Sequence, residues 1–178
     1  MSQVKLLYQL DLAPASQWLT VTASKNAKSS LLYVQELGDF ISHEKYYTQR
    51  EGLDSYLIKF TLSGEGLLDY QGQTHTIKPG QIFWIDCKEP QYYRTNPDAG
   101  NWRVLWVHFT GVSADLYYEL FQTQNRRSPV LTMPPDNHIQ ECLRELLSLY
   151  DTESGVLTTD LYAAALLTKM LTEIIRVT

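Results

Sequence analysis

Between Asp54 and Gly111 the chain reads DSYLIKFTLSGEGLLDYQGQTHTIKPGQIFWIDCKEPQYYRTNPDAGNWRVLWVHFTG, short β-branched and aromatic runs cut at close intervals by Gly, Pro and Asn. Turn residues that dense leave no room for long helices and point to antiparallel strands closing into a barrel or sandwich. Gly64-Glu65-Gly66, Gln71-Gly72-Gln73 and Pro79-Gly80 each signal a reversal, because Gly reaches positive φ cheaply and Pro presets φ for a turn. Three such signals in succession predict a meander of hairpins. In folds of this kind ligands sit in the barrel mouth, so the inward-facing residues matter most.

The strands expected from this pattern are Tyr56–Ser63, Leu67–Gln71, Thr74–Lys78, Gln81–Asp86 and Gln91–Arg94, with a closing strand Trp102–Phe109. On the closing strand a period of two puts Trp102, Val104, Trp106 and His108 on one face and Arg103, Leu105, Val107 and Phe109 on the other. Both faces are bulky, which places this strand centrally. Ahead of the barrel, residues 1–29 read as an extended arm with loops. Ser30–Leu37 is the first solid strand, Gly38-Asp39 a break, and Phe40–Leu53 a polar and aromatic connection to the barrel rim.

At Gly111 the period changes. Ser113 can cap a helix over about 114–123, with Leu116, Tyr117, Leu120 and Phe121 at helical spacing. Asp136 is a suitable cap for a second helix to about Tyr150, with Ile139, Cys142, Leu143, Leu146, Leu147 and Tyr150 on one stripe. Beyond an interruption at Gly155, Thr158 or Thr159 opens a third helix to about Arg176. Leu161, Ala164, Ala165, Thr168, Leu171, Thr172 and Ile175 form one of its stripes, and Leu166, Leu167, Met170 and Ile174 widen the apolar surface. That is more apolar face than one small sheet needs, so a partner helix from a second copy is expected.

Composition narrows the function classes. A formal net charge of -5 provides no electrostatic footprint for a polyanion. Cys87 and Cys142, the only two cysteines, are too few for a disulfide framework and lack metal-type spacing, which favours a reduced, cytoplasmic setting. Lys5, Gln9 and Asp11 interrupt the apolar patch near the N-terminus, so it is no signal-peptide core. No segment approaches the roughly 20 apolar residues of a membrane span.

Taken in order, Asp54-Ser55-Tyr56-Leu57-Ile58, Ser63-Gly64-Glu65-Gly66, Lys78-Pro79-Gly80-Gln81, Tyr92-Tyr93 and Trp102 through Gly111 resemble the N-terminal effector-binding and dimerisation domain of AraC-type transcription regulators. The likeness covers about residues 30–178. It implies a mixed α+β fold: a cupin-like antiparallel β-barrel of jelly-roll type over 30–111, then C-terminal helices over 112–178 that form a homodimer. It also implies a sugar or related small effector inside the barrel, and a DNA-binding domain with paired helix-turn-helix motifs that these residues do not include. The abrupt end after a helix favours an excised regulatory domain over a shorter binding protein. Carried over by position, the effector site comprises Arg50, Tyr93 and Trp106. The closing strand adds Trp102 at the rim, and the stripe of the third helix gives Leu161, Ala164, Ala165, Thr168, Leu171 and Ile175 as the expected dimer interface. Where arabinose-responsive members have a His two residues before the tryptophan, this chain has Val104. A site lacking that group selects a different hydroxyl pattern. The arm is the expected lid over the pocket, by analogy with those members.

In such a site Trp106 would offer an aromatic face to a sugar, and Arg50 and Tyr93 its hydrogen bonds. The plainer readings are a core tryptophan and, for Arg50, a solvated loop charge paired with Glu51 or Asp54. Cupin barrels also host metal enzymes, which need a His-x-His pair and a further His converging with a carboxylate. His43, His75, His108 and His138 are scattered instead. His108 reads as a hydrogen-bonded core or pocket residue. Neither a nucleophile elbow nor a phosphate loop occurs, so no catalytic residue, metal or cofactor is expected. The alternative function is a constitutive dimerisation module with a filled barrel.

Overall fold

The structure, a computed structural model, describes residues 3–152 and 156–178. Its elements are β1 (Lys5–Gln9), β2 (Gln17–Thr20), α1 (Lys25–Ser30), β3 (Leu32–His43), β4 (Tyr47–Glu51), β5 (Tyr56–Gly64), β6 (Gly66–Tyr70), β7 (Gln73–Ile77), β8 (Gln81–Asp86), β9 (Gln91–Thr95), β10 (Asn101–Gly111), α2 (Ala114–Gln124), β11 (Val130–Thr132), α3 (Ile139–Thr152) and α4 (Leu157–Val177). Two antiparallel sheets form a cupin-like jelly-roll barrel, in the orders β1-β4-β9-β6-β7 and β11-β8-β5-β10-β3-β2.

The expected meander is corrected by this topology. Of the three expected reversals, Gln71-Gly72 alone closes a hairpin, between β6 and β7. Its two-residue turn holds Gln71 at φ 50 and Gly72 at φ 76, the doubly positive geometry that matches the twist of paired strands. The other two turn signals carry the chain from one sheet to the other, since β5 pairs with β8 and β10 while β6 pairs with β7 and β9. A turn residue marks where the chain bends, not which sheet it enters.

β10 lies between β3 and β5, the central position its two bulky faces predicted. Leu105, Val107 and Phe109 join the apolar core shared with α2, α3 and α4, whereas Trp102, Val104 and Trp106 join the core inside the barrel. Two close approaches seat the inner indoles. Trp102 lies against Gly66 and Trp106 against Gly38, where any Cβ would meet the Trp106 ring at 2.8 Å.

Further local expectations are corrected. β3 runs through Gly38-Asp39 without a break, and Phe40–Leu53 contains the end of β3 and the whole of β4. The arm contributes edge strands to both sheets, β1 beside β4 and β2 beside β3, together with helix α1. Ser113 makes no side-chain capping bond, and the Asn137 carboxamide oxygen accepts from the Ile139 amide at the start of α3 in place of Asp136. α4 begins at Leu157 behind Val156, with Thr158 and Thr159 inside its first turn. Gly155 lies outside the described residues. No helix among the described residues is long and apolar enough to cross a membrane.

Candidate functional site

Alternation along the strands selects what faces the barrel interior. Pairing of Leu6 with Arg50 and Tyr8 with Thr48 lays β1 across β4, while β3, β5, β9 and β10 direct Glu36, Phe40, Lys59, Tyr93, Trp106 and His108 inward. Together with Leu10, Trp18 and Tyr46 these residues line a cavity of about 240 Å³. The volume lies below the roughly 300–1,000 Å³ of pockets for drug-sized ligands, a size suited to one small molecule. A larger hollow of about 690 Å³ lies elsewhere, along β1, β4, β9, β6 and β7. That surface is rich in exposed polar side chains, whereas the smaller cavity concentrates buried ionisable groups.

At its centre is Lys59, 2% exposed. The ammonium donates to the Tyr46 hydroxyl at 2.9 Å and lies 4.4 Å from the Tyr93 ring centre, with Phe40, Tyr46, Trp102 and Trp106 rings at 5.3–5.6 Å. Aromatic faces attract a cation, yet burial, followed by repulsion from Arg50, pushes the Lys59 pKa well below its usual value. Burial likewise pushes the Tyr93 phenol up to about 12, so it stays a hydrogen-bonding hydroxyl at neutral pH.

Arg50 is on β4, not in a loop, and pairs with neither Glu51 nor Asp54. Those carboxylates engage Lys5 and Lys88. The Arg50 guanidinium instead meets His108 Nε2 at 2.9 Å. An arginine can only donate, so Nε2 accepts and the imidazole proton sits on Nδ1, which donates to Ser55 Oγ at 2.9 Å. Burial first, then Arg50 and Lys59, hold the His108 pKa well below its ordinary value. A neutral imidazole thereby fixes the guanidinium at the cavity wall. Cys87 Sγ is 3.9 Å from the same Nδ1, but burial pushes its thiol far up, leaving it protonated and a poor nucleophile.

Of the residues expected at the site, Arg50, Tyr93 and Trp106 are brought together on the cavity wall. Trp102 lies beneath it, fully buried, its indole N–H donating to Thr61 Oγ1 at 3.1 Å. Tyr92 turns outward, with the Arg94 guanidinium 4.5 Å from its ring centre. Val104 is buried in the inner core and does not line the cavity. Lys59, Tyr46, Phe40, Trp18, Thr48 and Glu36 were missed. One signal was available: Lys59 is the only charged residue in the run Tyr56–Leu62, where every other member is apolar or Thr. Among the described residues no group of three or more His, Cys, Asp or Glu converges as metal ligands do.

On the helical side, Ala164 and Leu171 are buried within the chain, Ile175 is partly buried, and Leu161, Ala165 and Thr168 are exposed.

A model of the family described as "AraC-like ligand binding domain" matches residues 34–171. The chain belongs to that family. The arabinose operon regulatory protein of Salmonella typhimurium is 33% identical over 58 residues, and that of Escherichia coli 31% over the same length, each match covering 33% of this chain. Those alignments span about a fifth of the relatives' length, 21% and 20%. Among solved structures, a Cupin 2 conserved barrel domain protein from Salinispora arenicola superimposes with a TM-score of 0.42 at 16% identity, covering 64% of this chain and 89% of that one. The cavity occupies the interior of the barrel of this AraC-like ligand-binding domain.

Proposed function

We propose that this AraC-like domain binds a sugar or related small effector in the cavity between its two sheets and relays the event to a DNA-binding domain. The observation that carries the reading is the lining itself. Trp106, Trp18, Tyr93 and Phe40 offer aromatic faces for the C–H side of a sugar ring. Arg50, Thr48, Tyr93 and Glu36 offer donors and acceptors for its hydroxyls. A filled barrel, the alternative reading, has no use for such a space.

Binding would act by population shift: contacts between effector and arm favour one placement of β1 over another. Leu6, Tyr8 and Leu10 form part of the lining and are all exposed, so a ligand inside would bury them. The same reading makes the chain a non-enzymatic, cytoplasmic homodimer. Its candidate interface is the outer stripe of α4, where Leu161 is 49% exposed beside exposed Ala165 and Thr168.

The test is thermal unfolding against a panel of mono- and disaccharides. A native-state ligand at 100 times its Kd adds about 2.7 kcal/mol of stability. One sugar should raise the midpoint in wild type and fail to do so in Trp106→Ala. Indifference to every sugar would leave the filled-barrel module standing, and sedimentation of wild type against Leu161→Asp would then measure dimerisation by itself.

A further inference from the structure

The interior of the barrel carries two basic side chains, Arg50 and Lys59, and its lining includes one carboxylate, Glu36. Neither cation is ion-paired with a carboxylate among the described residues. Glu36 itself is half-buried, paired with neither, and adjacent across β3 and β10 to neutral His108. Lys59 can offer three donors and uses one, toward Tyr46. Arg50 spends Nη1 on His108, and the rest of its fork meets no side-chain acceptor among the described residues.

We propose that the cavity takes a monosaccharide-sized ligand bearing a single anionic group, a carboxylate or a phosphate monoester, seated against Lys59 and Arg50. The inference rests on the carbohydrate reading above and narrows it from sugars in general to acidic ones. An anionic oxygen there would use the idle donors of both cations in charge-assisted bonds, stronger than those to a neutral hydroxyl. It would also supply the counter-charge whose absence makes an ammonium costly to bury. The aromatic rings around Lys59 confine the approach, leaving the sugar ring to lie against Trp106 and Tyr93. Burial first, then repulsion from Arg50, depresses the Lys59 pKa, and an anionic ligand beside it would draw the proton back onto the amine.

The experiment sets each neutral sugar against its acidic counterparts on the same chain. Glucose is compared with glucuronate and glucose 6-phosphate, and galactose with galacturonate and galactose 6-phosphate, by calorimetry and unfolding midpoint at fixed ionic strength. We expect at least one acidic member to bind about tenfold or more tightly than its neutral parent, the scale of one charge-assisted bond. Whether uronate or phosphate wins identifies the anion. Lys59→Met, checked for cooperative unfolding, should collapse that ratio toward one, and the wild-type ratio decides the matter even where the variant folds poorly. Neutral parents binding as tightly as their acids would overturn the inference and leave the sugar sensor intact. Silence from all six ligands would overturn it too, while the broader sugar reading stands or falls on the mono- and disaccharide panel.

Discussion

The two sides of the six-stranded sheet are built on the same strands and packed by opposite rules. Outward, β10 presents Leu105, Val107 and Phe109 to a core closed by the helices, where Trp84 stacks on Phe121 with ring centres 4.9 Å apart and planes at 25°. Inward, at the alternating positions, it presents Trp102, Val104, Trp106 and His108 to a barrel that holds a buried lysine and a cavity. The outer side maximises apolar contact. The inner side accepts a desolvated basic group, which costs stability. The contrast teaches that the helical layer carries the fold, which leaves the barrel free to keep polar groups poised.

Truncation of the outer core should test that division most severely. Phe121→Ala removes a fully buried ring stacked on Trp84 and is expected to cost about 3–5 kcal/mol in denaturant unfolding. A loss under about 1 kcal/mol would mean the helical layer is not the stabilising side.

On the inner side the sign reverses. Lys59→Met should raise stability by about 1–4 kcal/mol near neutral pH, the range found when buried ion pairs give way to apolar groups, since Lys59 lacks even a carboxylate partner. The pH dependence follows from the lowered folded-state pKa. Between that value and the ordinary 10.5 the unfolded chain holds a proton that the folded chain has released. Wild-type stability from this group is therefore complete only above 10.5 and is lost as pH falls through the folded pKa. The methionine variant has no such slope, so the gap between the two unfolding midpoints should narrow from pH 7 toward pH 10. A gap constant with pH would show that Lys59 does not titrate differently on folding.

Gly38→Ala sharpens the comparison at its finest scale. The added methyl meets the Gln17 carbonyl at 2.5 Å and the Trp106 ring at 2.8 Å, and overpacking of this kind costs about 1–3 kcal/mol. Displacement of the indole should blunt the effector-dependent shift in midpoint as well, a loss that strain in the outer core would not produce.

Helices α2, α3 and α4 and the two faces of β10 followed from periodicity, because apolar spacing of 3.6 or 2 is written into adjacent residues and survives any arrangement of the elements. Arg50, Tyr93 and Trp106, which line the cavity, were legible as candidates only through resemblance in motif order. Lys59 was passed over, since a charge within an apolar run has no meaning until its neighbours are known. The arm was obscure for a related reason: β1 and β2 are short, exposed edge strands, held by distant partners such as Glu51 for Lys5 and Glu36 for Thr20.

By itself, then, the sequence determined strand and helix character, the sidedness of β10 and the family. Tertiary structure decided which turns change sheets, where the arm lies and which charges meet inside. The physical reason is range: local propensity and alternation are set by a few consecutive residues, whereas strand pairing joins Tyr8 to Thr48 and brings Arg50 to His108 only after the chain has closed on itself.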